Sequence, residues 1–237
     1  MESINENPKI LFLHGYAQSG HIFNIRTKNI QKHFSKKYNN KLIYLFPDAP
    51  YILEEQKLEG ETQRGWTTFS NIENFYNKKT IEYNGLENSI KNIFEIGEKN
   101  NNIQCIFSFS QGTVILLFII ILSLYNNDEF NFKKFFPNLK CCILCSGFYR
   151  PLPENDLFKN FVDELNKNNI EVKKFDIPIL NVFGENDQYV TNDKSEEIVK
   201  LFDKYEVFKH KGKHFVPSTK HDILIFENFL DKYLEFK

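Results

Sequence analysis

The run Cys105-Ile106-Phe107-Ser108-Phe109-Ser110-Gln111-Gly112 leads straight into Val114-Ile115-Leu116-Leu117-Phe118-Ile119-Ile120-Ile121-Leu122. Two apolar stretches joined by a short turn of small and polar residues read as a buried strand, a tight turn with Ser110 at its apex, and a buried helix. A strand with no polar face needs neighbours on both sides of its sheet. The apolar stretch Val114–Leu124 is too short for a bilayer span, which needs about 20 residues. It is therefore expected inside a globular core.

The rest of the chain repeats that theme. Strands are expected at Lys9–Leu13, Leu42–Phe46, Ile103–Phe109, Leu139–Cys145, Ile177–Phe183 and Glu206–Lys209, with a short extended piece at Trp66–Phe69. Helices are expected over Ile22–Tyr38, Gly85–Lys99, Thr113–Tyr125, Leu157–Leu165, Lys194–Lys204 and Ile223–Tyr233. Apolar strands alternating with helices predict an α/β fold, a mainly parallel sheet covered on both faces. In such sheets ligands bind beyond the carboxyl ends of the strands. The charged segment Tyr51–Gly65 reads as a surface loop or flap that could act as a lid. No Pro/Gly/Ser-rich linker divides the 237 residues, so one domain over residues 1–237 is expected.

Composition narrows the function classes. The net charge of -1 gives no reason to expect a nucleic-acid partner. The acidic start Met1-Glu2-Ser3 is not a secretory signal and Leu234-Glu235-Phe236-Lys237 is not a prenylation box, so a soluble, cytoplasmic protein without a transmembrane segment is expected. Of the four cysteines, Cys142 and Cys145 would point to opposite faces of one strand, which suits neither a shared metal nor a disulfide. All four, Cys105 and Cys141 included, read as small core side chains.

The ends of the strands carry the chemistry. Ser110 is the candidate nucleophile, on a turn that holds a hydroxyl clear of the sheet. His214, in Gly212-Lys213-His214-Phe215, is the candidate base, ahead of His210 and His221. The i, i+4 pair His210 and His214 could bind a metal on a helix, but Gly212 argues against a helix there. Asp187 is the candidate orienting acid because it follows an apolar strand after one short turn; Glu185 and Asp193 are the alternatives. The order Ser, Asp, His, each after a strand, is that of α/β-hydrolases. Two backbone N–H groups would then serve an oxyanion, from Gln111 after the nucleophile and from Tyr16 after the first strand. Trp66, Phe109, Phe148, Val190 and Phe215, with Tyr16, are candidate substrate-binding residues, and their apolar bulk suits an acyl chain.

The segments Phe12-Leu13-His14-Gly15-Tyr16-Ala17-Gln18-Ser19, Arg64-Gly65-Trp66, Phe107–Gly112, Ser146-Gly147-Phe148, Val182–Asp187 and Gly212–Pro217 together resemble the FSH family of serine hydrolases. The resemblance implies an α/β-hydrolase fold, carboxylesterase-type activity, no metal or other cofactor, and a triad of Ser110, Asp187 and His214. Arg64-Gly65-Trp66 would shape the pocket wall. Two positions depart from the family pattern: Ser108 stands where Gly is usual, and Thr67 where a second Trp is frequent. The expected reaction is hydrolysis of a small-molecule acyl ester or thioester through an acyl-enzyme on Ser110. Two alternatives stay open: an acyl-protein thioesterase-like hydrolase, and a non-catalytic hydrolase fold that binds a ligand. The oligomeric state is not encoded in any feature of the sequence.

Overall fold

The computed structural model describes residues 7–53, 62–69, 80–125, 130–167 and 173–236. Six strands form one sheet: β1 (Lys9–Leu13), β2 (Ile43–Leu45), β3 (Ile103–Phe109), β4 (Cys141–Cys145), β5 (Ile179–Gly184) and β6 (Tyr205–His210). Their order is β6-β5-β4-β3-β1-β2 and every pairing is parallel. Parallel neighbours need crossovers, which the helices supply: α1 (Gly20–Arg26), α2 (Lys28–Lys37), α3 (Leu86–Lys99), α4 (Gln111–Tyr125), α5 (Phe132–Phe135), α6 (Lys159–Asn166), α7 (Asn192–Glu197) and α8 (Lys220–Leu230).

The side-chain alternation of the strands divides the core in two. On one face Leu11, Leu13, Ile106, Cys142 and Leu144 pack with side chains of α3, α4, α5 and α6. On the other, Ile10, Phe12, Phe107, Phe109 and Cys145 pack with Phe23 of α1, Phe34 of α2 and Phe226 of α8. Cys142 and Cys145 thus lie on opposite faces, as the spacing predicts, and all four cysteines are free and buried. Helix α4 is apolar all round, and every residue from Gln111 to Leu122 is buried. Burying each large aliphatic or aromatic side chain contributes about 1.5–3 kcal/mol, so α4 is an anchor for the turn that precedes it. No described helix is long and apolar enough to cross a membrane.

Three expected helices differ from those observed. The stretch 22–38 is two helices, α1 and α2, that meet at Thr27, whose Oγ1 donates to Phe23 O. Thr27 leaves helical geometry there, with φ of -98° and ψ of 8°, and that bond ties its side chain to the preceding turn. The stretch 194–204 is the short α7 followed by a 3-10 turn, Ile198–Leu201. The stretch 157–165 likewise begins as a 3-10 turn before α6. Of the segment 51–65, Tyr51–Ile52 and Arg64–Gly65 pair as an antiparallel ribbon. Residues 54–61, the centre of the expected lid, lie outside the described residues.

Candidate active site

Ser110 stands between the last residue of β3 and the first of α4, with φ of 50°. A non-glycine residue adopts this left-handed conformation only where the surroundings enforce it. Two anchors do so: Ser110 N–H donates to Cys145 O of β4 (2.8 Å), and Ser110 O accepts from the N–H groups of Thr113 and Val114 (2.9 and 3.0 Å). The turn is tight because its neighbours press on it. A side chain at Gly112 would collide with the carbonyl oxygens of Leu13 and His14. One at Gly15 would meet the Phe109 ring and Ser110 Cβ. Serine at 108 fits this crowding: its Oγ is buried and hydrogen-bonded to Thr113 Oγ1 (2.9 Å).

The structure brings Ser110, His214 and Asp187 together. His214 Nε2 lies 2.9 Å from Ser110 Oγ. His214 Nδ1 lies 2.7 Å from Asp187 Oδ2. The other carboxylate oxygen, Oδ1, accepts the N–H groups of Tyr189 and Val190, each at 2.9 Å. Burial alone would push the Asp187 carboxyl up, but the His214 hydrogen bond and these two amides outweigh it and hold it below its ordinary value. A carboxylate at Nδ1 fixes the proton there and leaves Nε2 as the acceptor for the serine hydroxyl. Glu185 and Asp193, the alternative acids, have no hydrogen bond to the ring; Asp193 sits in the first turn of α7. His210 is turned away, its Nδ1 accepting Gly212 N–H (3.1 Å).

Gln111, the first residue of α4, carries one of the first-turn amides that have no acceptor within the helix. The loop after β1 approaches it closely, with His14 O beside Gly112 and Gly15 beside Ser110. Behind this loop lies a lattice of buried polar groups. Ala49 N–H donates to His14 Nε2 (3.0 Å), so the His14 proton sits on Nδ1, which donates to Gly15 O (2.8 Å). Burial lowers the His14 pKa, partly offset by the Gly15 carbonyl and Asp48, and keeps the ring neutral.

The expected substrate-binding residues have separate fates. Phe109 is buried with its ring 5.1 Å from that of His214, packed against the imidazole. Val190 is buried and reaches Asp187 through its backbone. Phe215 is 47% exposed and lies tilted against the His210 ring at 5.0 Å. Phe148 is half-buried, with Lys194 Nζ 6.0 Å from its ring centre. Tyr16 is half-buried on the loop after β1. Trp66 is 0% exposed, so it offers no surface to a substrate. Its indole N–H donates instead to His14 O (2.9 Å). Sequence reasoning missed Tyr189, which is 73% exposed and sits edge-on to the His214 ring at 5.4 Å. Its position two residues after Asp187 was the available signal.

Comparison with known proteins follows the same lines. A family model described as "Serine hydrolase (FSH1)" matches residues 1–224. An esterase of Danio rerio, OVCA2, is 28% identical over 95% of this chain and 97% of its own length. The crystal structure of esterase PE8 superposes with a TM-score of 0.63 at 16% identity, covering 96% of this chain and 93% of that one. The crystal structure of Zea mays acyl-protein thioesterase 2 does so with a TM-score of 0.58 at 14% identity, covering 98% and 96%. The two superpositions show that this chain shares the fold of those proteins.

Proposed function

The chain belongs to the serine hydrolase (FSH1) family, and from that premise we propose that Ser110, His214 and Asp187 form a catalytic triad that hydrolyses a carboxylic ester. Ser110 Oγ attacks the carbonyl carbon while His214 Nε2 takes its proton. Asp187 holds the ring by Nδ1 and stabilises the imidazolium that forms. The N–H groups of Gln111 and Tyr16 receive the negative oxygen, helped by the positive end of α4. When the tetrahedral adduct collapses, His214 returns the proton to the departing alcohol and an acyl group remains on Ser110. Water, deprotonated by His214, then releases the acid and restores the hydroxyl.

The observation that carries this reading is the unbroken relay from Asp187 Oδ2 through His214 to Ser110 Oγ, at 2.7 and 2.9 Å, with the serine in its enforced left-handed turn. An intact relay speaks against a purely ligand-binding role. The rings of Phe109 and Tyr189, 5.1 and 5.4 Å from the imidazole, favour an apolar small-molecule acyl ester. A thioester leaves by the same steps with a thiol in place of the alcohol. Four buried cysteines, none of them bridged, support a cytoplasmic location, where thiols stay reduced.

A fluorophosphonate probe tests the assignment directly. The wild-type protein is expected to take one label and to turn over alkyl esters; Ser110→Ala is expected to do neither. Undiminished labelling of Ser110→Ala defeats the assignment. Parallel assays of alkyl esters and S-acyl peptides decide between ester and thioester.

A further inference from the structure

Trp66 and the Gln111 side chain take no part in the proton relay, yet both are deeply buried and every polar group they carry is spoken for. Gln111 Oε1 accepts Trp66 N–H (2.8 Å), and Gln111 Nε2 donates to Thr67 O (2.8 Å) and Thr67 Oγ1 (3.1 Å). The Trp66 indole N–H donates to His14 O (2.9 Å), and Trp66 O accepts from Ser89 Oγ of α3. One short segment, Trp66-Thr67, therefore grips both walls of the oxyanion site. It holds the peptide just before the Gly15–Tyr16 peptide on one side and the first residue of α4 on the other. We propose that Trp66 and the Gln111 side chain are positioning residues that set the spacing between the Tyr16 and Gln111 backbone amides.

This inference rests on the triad reading above and adds to it a reason for the Arg64-Gly65-Trp66 segment. The physical argument is one of tolerance. Backbone donors stabilise an oxyanion only when both reach it at hydrogen-bond distance, and they belong to segments far apart in the chain. Nothing covalent keeps the β1 loop and the start of α4 in register. A Gln whose two amide ends are both committed, and an indole committed to the opposite loop, hold that register with bonds buried behind the site. Arg64 extends the brace: its N–H donates to Gln18 O (2.7 Å), its Nη1 to Ala49 O (3.1 Å), and its Nε lies 3.3 Å from Asp48 Oδ2.

The test uses the full chain with Trp66→Phe, which keeps a ring and removes the indole N–H, and Gln111→Met, which keeps the length and removes the amide. Ser110→Ala is assayed beside them. A small displacement of oxyanion donors is expected to lower kcat about 10- to 100-fold, with KM within about twofold. The inhibition constant of an alkyl boronic acid, which forms a tetrahedral adduct on the serine, should rise by the same factor as kcat falls. The number of sites titrated to completion by fluorophosphonate, and the acid limb of the pH–rate profile, should not move. Folded variants with wild-type kcat and boronate affinity overturn the proposal. So does a loss of rate matched by a loss of titratable sites, which marks a purely structural role. If neither variant folds, Thr67→Val replaces them, removing one acceptor; a kcat loss of about two- to fivefold is expected, and an unchanged kcat overturns the proposal. Turnover by Ser110→Ala would instead remove the triad reading, so the two failures are distinct.

Discussion

The two flanks of Ser110 are built differently. On the imidazole side, Asp187 and His214 lie on loops after β5 and β6, and the His214 side chain keeps 15% of its surface in solvent, with the exposed Tyr189 edge-on to it. On the oxyanion side, His14, Trp66, Thr67, Ser89 and Gln111 are all buried and joined by hydrogen bonds between neutral groups. The contrast matches the tasks proposed for the two sides. A group that gains and loses a proton in each turnover needs water and a titratable partner. Donors that must stand still are best fixed by neutral bonds in a dry interior, where each bond is strong and each missing partner costly. Damage to the first flank should therefore appear as lost rate, and damage to the second as lost stability together with rate.

The largest effect is expected from His214→Ala. Without its base the serine is inert, and kcat should fall on the order of 10⁵-fold. The thermal midpoint should move less than that of Trp66→Ala, because the His214 side chain keeps 15% of its surface in solvent and Trp66 keeps none. Asp187→Asn comes next: the amide presents an N–H to Nδ1, favours the wrong tautomer, and should lower kcat on the order of 10³- to 10⁴-fold. Denaturant titration beside the kinetics would show whether either variant loses stability in step with rate, which would break the comparison. On the opposite flank, Trp66→Ala opens a cavity and leaves His14 O without its indole donor. It should cost about 3–5 kcal/mol in the same titration. A Trp66→Ala protein as stable as wild type would show that the buried lattice is not structural at all.

Much of the first flank was legible in the sequence and little of the second. Ser110 and Asp187 each follow an apolar strand and His214 follows the short mixed strand β6; a parallel sheet delivers all such positions to one edge, so local pattern and chain order placed the three together. Trp66 was expected at the pocket wall because its aromatic character suggests contact with a ligand. What it does is set by a hydrogen bond to His14, 52 positions away, and no local period records such a bond. The Ser108 departure was likewise opaque until Thr113 appeared one turn into α4 as its partner. The break at Thr27 has the same cause, a side-chain bond to a carbonyl overriding helical periodicity. Side chains that pair across segments escape pattern reading, and the oxyanion side is made almost wholly of them.

The smallest expected effect separates the flanks by pH. His14 is held neutral by burial, with its pKa below the ordinary value, and His210 is lowered by burial too, against the pull of Asp222, Asp187 and Glu185. An unfolded histidine takes up its proton near pH 6.5. Below that pH the unfolded chain binds protons that the native His14 refuses, so the stability this side contributes is complete above about pH 6.5 and falls as the pH drops through it. Asp187 also has a lowered pKa, but its window is that of a carboxylate: its contribution is complete above about pH 4 and is lost only as the pH falls below that. Thermal midpoints recorded from pH 8 to pH 3 should thus decline in two stages. His14→Gln should be less stable than wild type at pH 8 yet show a flatter first stage, and His14→Gln with His210→Gln should flatten it further. Asp187→Asn should leave the first stage intact and flatten the second. His210 ends β6 on the imidazole side, so His14→Gln alone tests the lattice: if that variant keeps the wild-type slope between about pH 5 and 6.5, the neutral lattice is not what acid attacks first, and the division between the two sides of Ser110 would have to be redrawn.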